Sequence, residues 1–225
     1  MPYRILGRTG VKVYPLCLGT MNLGGRTDAD EAGRVLDTYF DAGGNFIDTA
    51  NVYNDGHSES IIGNWLAQRG VRDQVVLSTK VHGRRSPHIN DAGNHRWHIV
   101  REVEKSLARL KTDRIDLYHI HRPDPDTPID QTLRALDDLV RQGKVLYLAS
   151  STFPAWATGT RLPRRMPFRS QTAARSEVMS GRLSSQSSAV VSVVTPILAI
   201  ASPIATTCHP ARKASPTRRP GRARP

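Results

Sequence analysis

From Val13 onward, short apolar runs alternate with longer amphipathic stretches, and the alternation stops abruptly after Trp156. Such a rhythm encodes repeated βα units, because strand-forming runs separated by helix-length segments need crossover connections and so build a parallel sheet. The apolar runs predict strands over residues 14–18, 45–48, 75–80, 115–121 and 145–150. The stretch ahead of them, residues 3–13, carries Gly7 and the Thr9-Gly10 pair at a turn and predicts a small hairpin that plugs a barrel floor.

The intervening segments have helical punctuation. Ile99, Val103, Leu107 and Leu110 recur at helical spacing, which puts one apolar face inward and turns Arg101, Glu102 and Lys105 outward. Thr127 before Pro128 predicts an N-cap and a preset first turn; Ile129, Leu133, Leu136 and Val140 then form the stripe, and Gly143 ends the helix. Ser58 and Glu59 open the helix of Ile61, Ile62, Trp65 and Leu66, with the carboxylate at the positive end of its dipole.

Repeats of this kind suit an eight-stranded barrel or a doubly wound sheet. The loops favour the barrel. After the first strand, Gly19-Thr20-Met21-Asn22-Leu23-Gly24-Gly25 has the wrong glycine spacing for a dinucleotide fingerprint, and no helix starts there. Polar reactive residues gather instead at the C-terminal ends of several strands, where barrels build active sites. The expected architecture is α/β: an incomplete TIM-type (β/α) barrel of about five of eight βα units over residues 1–156. A low-complexity Arg/Ser/Pro-rich tail over 157–225 follows, expected to be disordered.

Charge divides at the same boundary. Lys and Arg number 20 against 19 Asp and Glu up to Trp156, and 12 against 1 beyond it, so the net charge of +12 belongs almost wholly to the tail. It is no sign of a basic enzyme surface. Two cysteines, Cys17 and Cys208, are too few for a disulfide framework and lack metal-ligand spacing. None of His57, His82, His95, His98 and His119 belongs to a metal-ligand constellation legible in the sequence, so no metal is expected. The N-terminus lacks the apolar stretch of a signal peptide, and the apolar segment 189–205 is broken by Pro196 and Pro203 and is shorter than the ~20 residues of a membrane span. A reducing cytoplasm is the expected compartment.

Asp48 ends the second predicted strand, Tyr53 follows five residues later, Lys80 ends the third and His121 the fourth. In a barrel all four converge on one mouth. Hydride reduction of a carbonyl needs a proton donor at the developing alkoxide, and a phenol beside a lysine ammonium can serve. Asp48 would hold the lysine charged and in place, and His121 would hydrogen-bond and orient the carbonyl oxygen. Taken singly, these residues read as a turn former, a surface tyrosine, a solvated lysine and a satisfied histidine. Their order across three successive strands is what gives them a common reading.

The stretches Phe46-Ile47-Asp48-Thr49-Ala50-Asn51-Val52-Tyr53, Ser78-Thr79-Lys80 and Asp116-Leu117-Tyr118-His119-Ile120-His121-Arg122-Pro123-Asp124 resemble, in order and spacing, the tetrad motifs of the aldo-keto reductase family. The resemblance runs from Tyr3 to about Trp156. It implies Asp48, Tyr53, Lys80 and His121 as the catalytic tetrad with Tyr53 as general acid, and NADPH as cofactor. It also implies contacts to the cofactor from Gly19, Thr20, Met21, Asp48, Ser151 and Thr152, with Thr152 standing where the family has Asn. The family's adenosine and phosphate contacts fall in the C-terminal third, from which this sequence departs.

Three functions follow as expectations. The first is NADPH-dependent reduction of a small aldehyde or ketone. The second is a catalytically silent, truncated relative without the phosphate site, its tail resembling translation in a shifted reading frame. The third is nonspecific binding of nucleic acid or anionic surfaces by the basic tail, which has no aromatic interleaving or motif for specific recognition. Unclosed barrel edges would expose unpaired backbone and favour self-association, with marginal folding.

Overall fold

A computed structural model of the chain describes residues 1–153. The domain boundary expected at 156 and the tail expected over 157–225 lie outside the described residues.

The chain opens with an antiparallel hairpin, β1 (Arg4–Ile5) with β2 (Lys12–Val13), in the register Arg4↔Val13. Gly7 and Gly10 supply the left-handed backbone of its turn, at φ 55° and 79°. Five strands follow: β3 (Leu18–Gly19), β4 (Phe46–Asp48), β5 (Val76–Val81), β6 (Ile115–Ile120) and β7 (Val145–Ser150). All four pairings between them are parallel, and the spatial order is the chain order. Four helices fill the crossovers: α1 (Ala29–Asp41), α2 (His57–Arg69), α3 (Arg96–Leu110) and α4 (Ile129–Arg141).

A sequential order has no point at which the strand order reverses, which a doubly wound sheet requires. The two faces of the sheet agree with this. Ile47, Leu77, Tyr118 and Leu148 pack with Leu36, Ile62, Ile99, Val103 and Leu139 of the helices. Leu117 and Ala149, on the opposite face by the two-residue period of strands, pack with Leu6 and Val13 of the hairpin. Helices on one face and a small plug on the other are the arrangement of an incomplete (β/α) barrel, as the sequence implied.

The first strand is shorter than the apolar run over 14–18 predicts. Tyr14 N–H donates to Asn45 Oδ1, Tyr39 Oη donates to the Leu16 carbonyl, and Pro15 has no donor, so the backbone there bonds to side chains and not to a ladder. Thr127 does not cap α4: Pro128 occupies the cap position without a side-chain bond, and the Thr127 hydroxyl donates to Asp124 Oδ2. Gly143 follows the helix at φ 74°, the expected left-handed exit. Glu102 departs most from expectation. It is fully buried where the sequence turns it outward, for reasons given below.

Among the described residues no helix is long and apolar enough to cross a membrane. Helices α2 and α3 cross closely at Gly63, where an added Cβ would lie 2.2 Å from the Arg109 carbonyl oxygen and 2.7 Å from Leu110 Cα. Backbone cannot yield as a flexible side chain can, so Gly63→Ala is expected to destabilise the chain by about 1–3 kcal/mol through overpacking. The measurement is the urea midpoint of the variant against the parent, and an unchanged midpoint would show that the crossing can relax.

Candidate active site

Every residue singled out for chemistry lies at the C-terminal edge of the parallel sheet. Gly19 ends β3, Asp48 ends β4, Lys80 is the penultimate residue of β5, and His121 and Ser151 directly follow β6 and β7. Side-chain alternation directs Asp48, Ser78 and Lys80 to the inner face, while Thr79 points to the helices.

Lys80 is the hub. Its ammonium, 3% exposed, donates to Asp48 Oδ2 at 2.5 Å, to the Thr49 carbonyl at 2.7 Å and to the Tyr53 hydroxyl oxygen at 3.1 Å. Ser78 Oγ donates to the other Asp48 oxygen at 2.8 Å. A buried ammonium is tolerable only when its donors are met, and here all three are. The His121 ring stands edge-on to Tyr53, with centroids 6.0 Å apart. Burial, with Lys80 and Arg122 nearby, lowers the His121 pKa to about 4, so its imidazole is neutral at pH 7 and has an N–H to offer.

Tyr53 sits in a loop of unusual backbone. Asn54, Asp55 and Gly56 all take left-handed conformations, at φ 46°, 57° and 84°. For the two non-glycine residues this costs of order 1–2 kcal/mol each. The Asn54 amide offsets it by donating to the carbonyls of Met21 and Leu23, both at 2.8 Å. Gly25 makes room for that amide: a Cβ there would lie 2.4 Å from Asn54 Oδ1. The glycines after β3 therefore serve loop-on-loop packing.

The remaining residues expected at a cofactor are placed as follows. Thr20 is buried, its N–H and hydroxyl both donate to the Asp48 carbonyl, and its own oxygens accept from Ser58. Met21 is 63% exposed at the rim. Ser151 N–H donates to the Ile120 carbonyl, and the Ser151 and Thr152 hydroxyls lie 3.3 Å apart, with Thr152 at φ 61°.

The profile of the aldo/keto reductase family matches residues 15–167. The chain belongs to this family. It is 44% identical over 168 residues to the norsolorinic acid reductase of Aspergillus flavus, covering 68% of this chain and 43% of that protein. It is 48% identical over 166 residues to the uncharacterized oxidoreductase YrpG of Bacillus subtilis, covering 69% and 51%. Among solved structures, the holo form of the aldo-keto reductase AKR11C1 from Bacillus halodurans superposes with a TM-score of 0.62 at 36% identity, covering 68% of this chain and 51% of that one. The chain thus spans about half the length of the relatives it matches.

Several bonds around these residues were not legible beforehand: Ser78 bonds Asp48, Asn54 ties the turn after Tyr53 to Met21, Asn51 bonds Glu102 and Thr79 bonds Glu59. Glu59, read as a carboxylate at the positive end of the helix dipole, is fully buried, accepting from Thr79 Oγ1 at 2.6 Å and from Arg109 Nε at 2.7 Å. His98, which has no metal-ligand spacing in the sequence, comes together with Asp91 and Glu102, one ligand atom from each lying within 4.8 Å of the others. Side chains already meet the negative charge there. Lys105 Nζ is 2.7 Å from Glu102 and 3.9 Å from Asp91, and Arg85 and Arg109 lie within 4.0 Å of Glu102. Burial pushes the Cys17 thiol well above its usual range, with Asp48 adding to the effect, which leaves it unreactive.

His119, opposite Lys80 in the β5–β6 register, is lowered to about 4, chiefly by burial; Asp48 opposes the shift while Lys80 and His121 add to it. Its neutral form is favoured on folding. The resulting stability is complete above the unfolded value of about 6.5 and is lost as pH falls from there toward 4, by up to about 3 kcal/mol. His119→Leu is therefore expected to flatten the pH dependence of the urea midpoint between pH 6.5 and 4.5. Parallel profiles for variant and parent would contradict the shift.

Proposed function

We propose that the site reduces a small aldehyde or ketone to an alcohol with NADPH, Tyr53 acting as general acid. The observation that carries this reading is the single buried chain from Asp48 through the Lys80 ammonium to the Tyr53 hydroxyl. A phenol whose oxygen already accepts from an ammonium can surrender its proton to an alkoxide, because the anion left behind faces a fixed positive charge. Asp48, held by Ser78, keeps that charge in place. The neutral His121 donates to the carbonyl oxygen and aims it at Tyr53.

The donor set fits the nicotinamide end of the cofactor. Among the described residues the hydroxyls of Ser151 and Thr152 bond only with each other and are available to a carboxamide, and Gly19 and Met21 lie at the end of β3, the opposite outer strand of the sheet. Thr20, already bonded to Asp48 and Ser58, contributes by holding the end of β4. When bound, the cofactor supplies the hydride. Barrels commonly bind phosphate on loops after later strands than the five described here, so overall affinity is what experiment must read.

A second reading is a family member that keeps the site without turnover: Thr152 stands where the resemblance implies Asn, and its backbone is left-handed at φ 61°. Among the described residues the outer edges of β3 and β7 pair with no strand, and we propose self-association through them, in a cytoplasmic setting.

Titration of the purified chain with NADPH, followed by cofactor fluorescence, is expected to show saturable binding, and a generic aldehyde is expected to drive NADPH oxidation. Tyr53→Phe should lower kcat by about 10²–10⁴-fold while leaving NADPH binding intact. No binding at millimolar NADPH would overturn the reductase reading in favour of the silent one.

A further inference from the structure

We propose that Glu102 is a positioning residue: acting through Asn51, it fixes the loop that carries Tyr53 over Lys80. The kinetic consequence rests on the reductase reading, whereas the geometric one does not.

Glu102 is the charged residue of α3 that the helical pattern sends to solvent and the fold buries completely. Its Oε2 accepts from Asn51 Nδ2 at 2.8 Å, and its Oε1 accepts from Lys105 Nζ at 2.7 Å. The guanidinium groups of Arg85 and Arg109 stand 3.8 and 4.0 Å away. Burying a carboxylate is costly, and apolar residues of similar volume commonly serve stability as well or better. A buried carboxylate behind the sheet therefore suits a task of geometry, and Asn51 shows which one.

Tyr53 lies between two anchors. Downstream, Asn54 is tied to Met21 and Leu23, and Asp55 to Arg85 at 2.9 Å. Upstream, Asn51 is fully buried, and beyond its backbone bond to the Lys80 carbonyl at 3.2 Å, its hold on the scaffold is the bond to Glu102. Without that bond the upstream half of the loop is free to shift, and the Tyr53–Lys80 contact shifts with it. A second buried carboxylate, Glu59, ties Thr79 beside Lys80 to α3 through Arg109, so the strand side of the contact stays fixed while the loop side depends on Glu102.

The test labels the full chain with 3-fluorotyrosine and follows the six tyrosine ¹⁹F lines, Tyr53 being assigned by Tyr53→Phe. In Asn51→Ala the Tyr53 line is expected to shift, and its transverse relaxation to slow at least about twofold toward that of the half-exposed Tyr3, with the other lines in place. Glu102→Ala should reproduce the effect. Glu102→Gln, which keeps an acceptor for Asn51, should restore most of it. Where the parent turns over, Asn51→Ala should lower kcat about 10- to 100-fold with KM for the aldehyde little changed. If Asn51→Ala does not fold, Asn51→Ser, which fills part of the space but cannot reach Glu102, gives the same readout. A Tyr53 line indifferent to Asn51, or all six lines changing together, would overturn the proposal. A parent without turnover whose Tyr53 line still depends on Asn51 would overturn the reductase reading and leave this one standing.

Discussion

A lysine ammonium withdrawn almost wholly from water is the constraint on which the rest of the site depends. Removing such a charge from solvent costs several kcal/mol unless every donor finds an acceptor in good geometry. Lys80 therefore requires Asp48, the Thr49 carbonyl and the Tyr53 oxygen at the same time. The parallel register that places Asp48 opposite Ser78 fixes the first, the exit of the chain from β4 fixes the second, and the strained turn after Tyr53 fixes the third. The placement of the Tyr53 hydroxyl is thus a consequence of satisfying a buried cation.

The sheet separates two kinds of polar chemistry. On the inner face Asp48, Ser78 and Lys80 form the site, below which Leu117 and Ala149 pack against the hairpin. On the outer face Glu59, Glu102 and Arg109 lie between the sheet and helices α2 and α3, against the fully buried Tyr118, whose hydroxyl is pushed up by burial and by those two carboxylates. Adjacent residues of one strand, Thr79 and Lys80, belong to opposite networks.

The strands over residues 75–80, 115–121 and 145–150 were legible because apolar runs bounded by helix-length segments have few other solutions. The meeting of Asp48, Tyr53, Lys80 and His121 was legible because strand ends place residues far apart in the chain at one edge. The burial of Glu102 was not legible: the rule that sends charged residues of an amphipathic helix outward fails when a partner arrives from elsewhere in the fold, here Asn51 from the loop after β4; nor does any local pattern reveal the bond of Glu59 to Thr79 of β5. The gathering of Asp91, His98 and Glu102 escaped notice for the same reason, one residue coming from a loop and two from successive turns of α3. The first strand was over-read because Tyr14 and Leu16 give their backbone groups to the side chains of Asn45 and Tyr39, which no local pattern reveals.

By itself the sequence determined the βα rhythm, the family and the gathering of polar residues at the C-terminal ends of the strands, since these rest on local periodicity and on motifs a few residues long. Tertiary structure alone decided which oxygen each Lys80 proton meets, why Asn54 can hold a left-handed turn and which carboxylates of the helices are buried. Those outcomes depend on distances between residues 20 and 51 positions apart, as for Thr79 to Glu59 and Asn51 to Glu102, and only the packed sheet and helices set such distances.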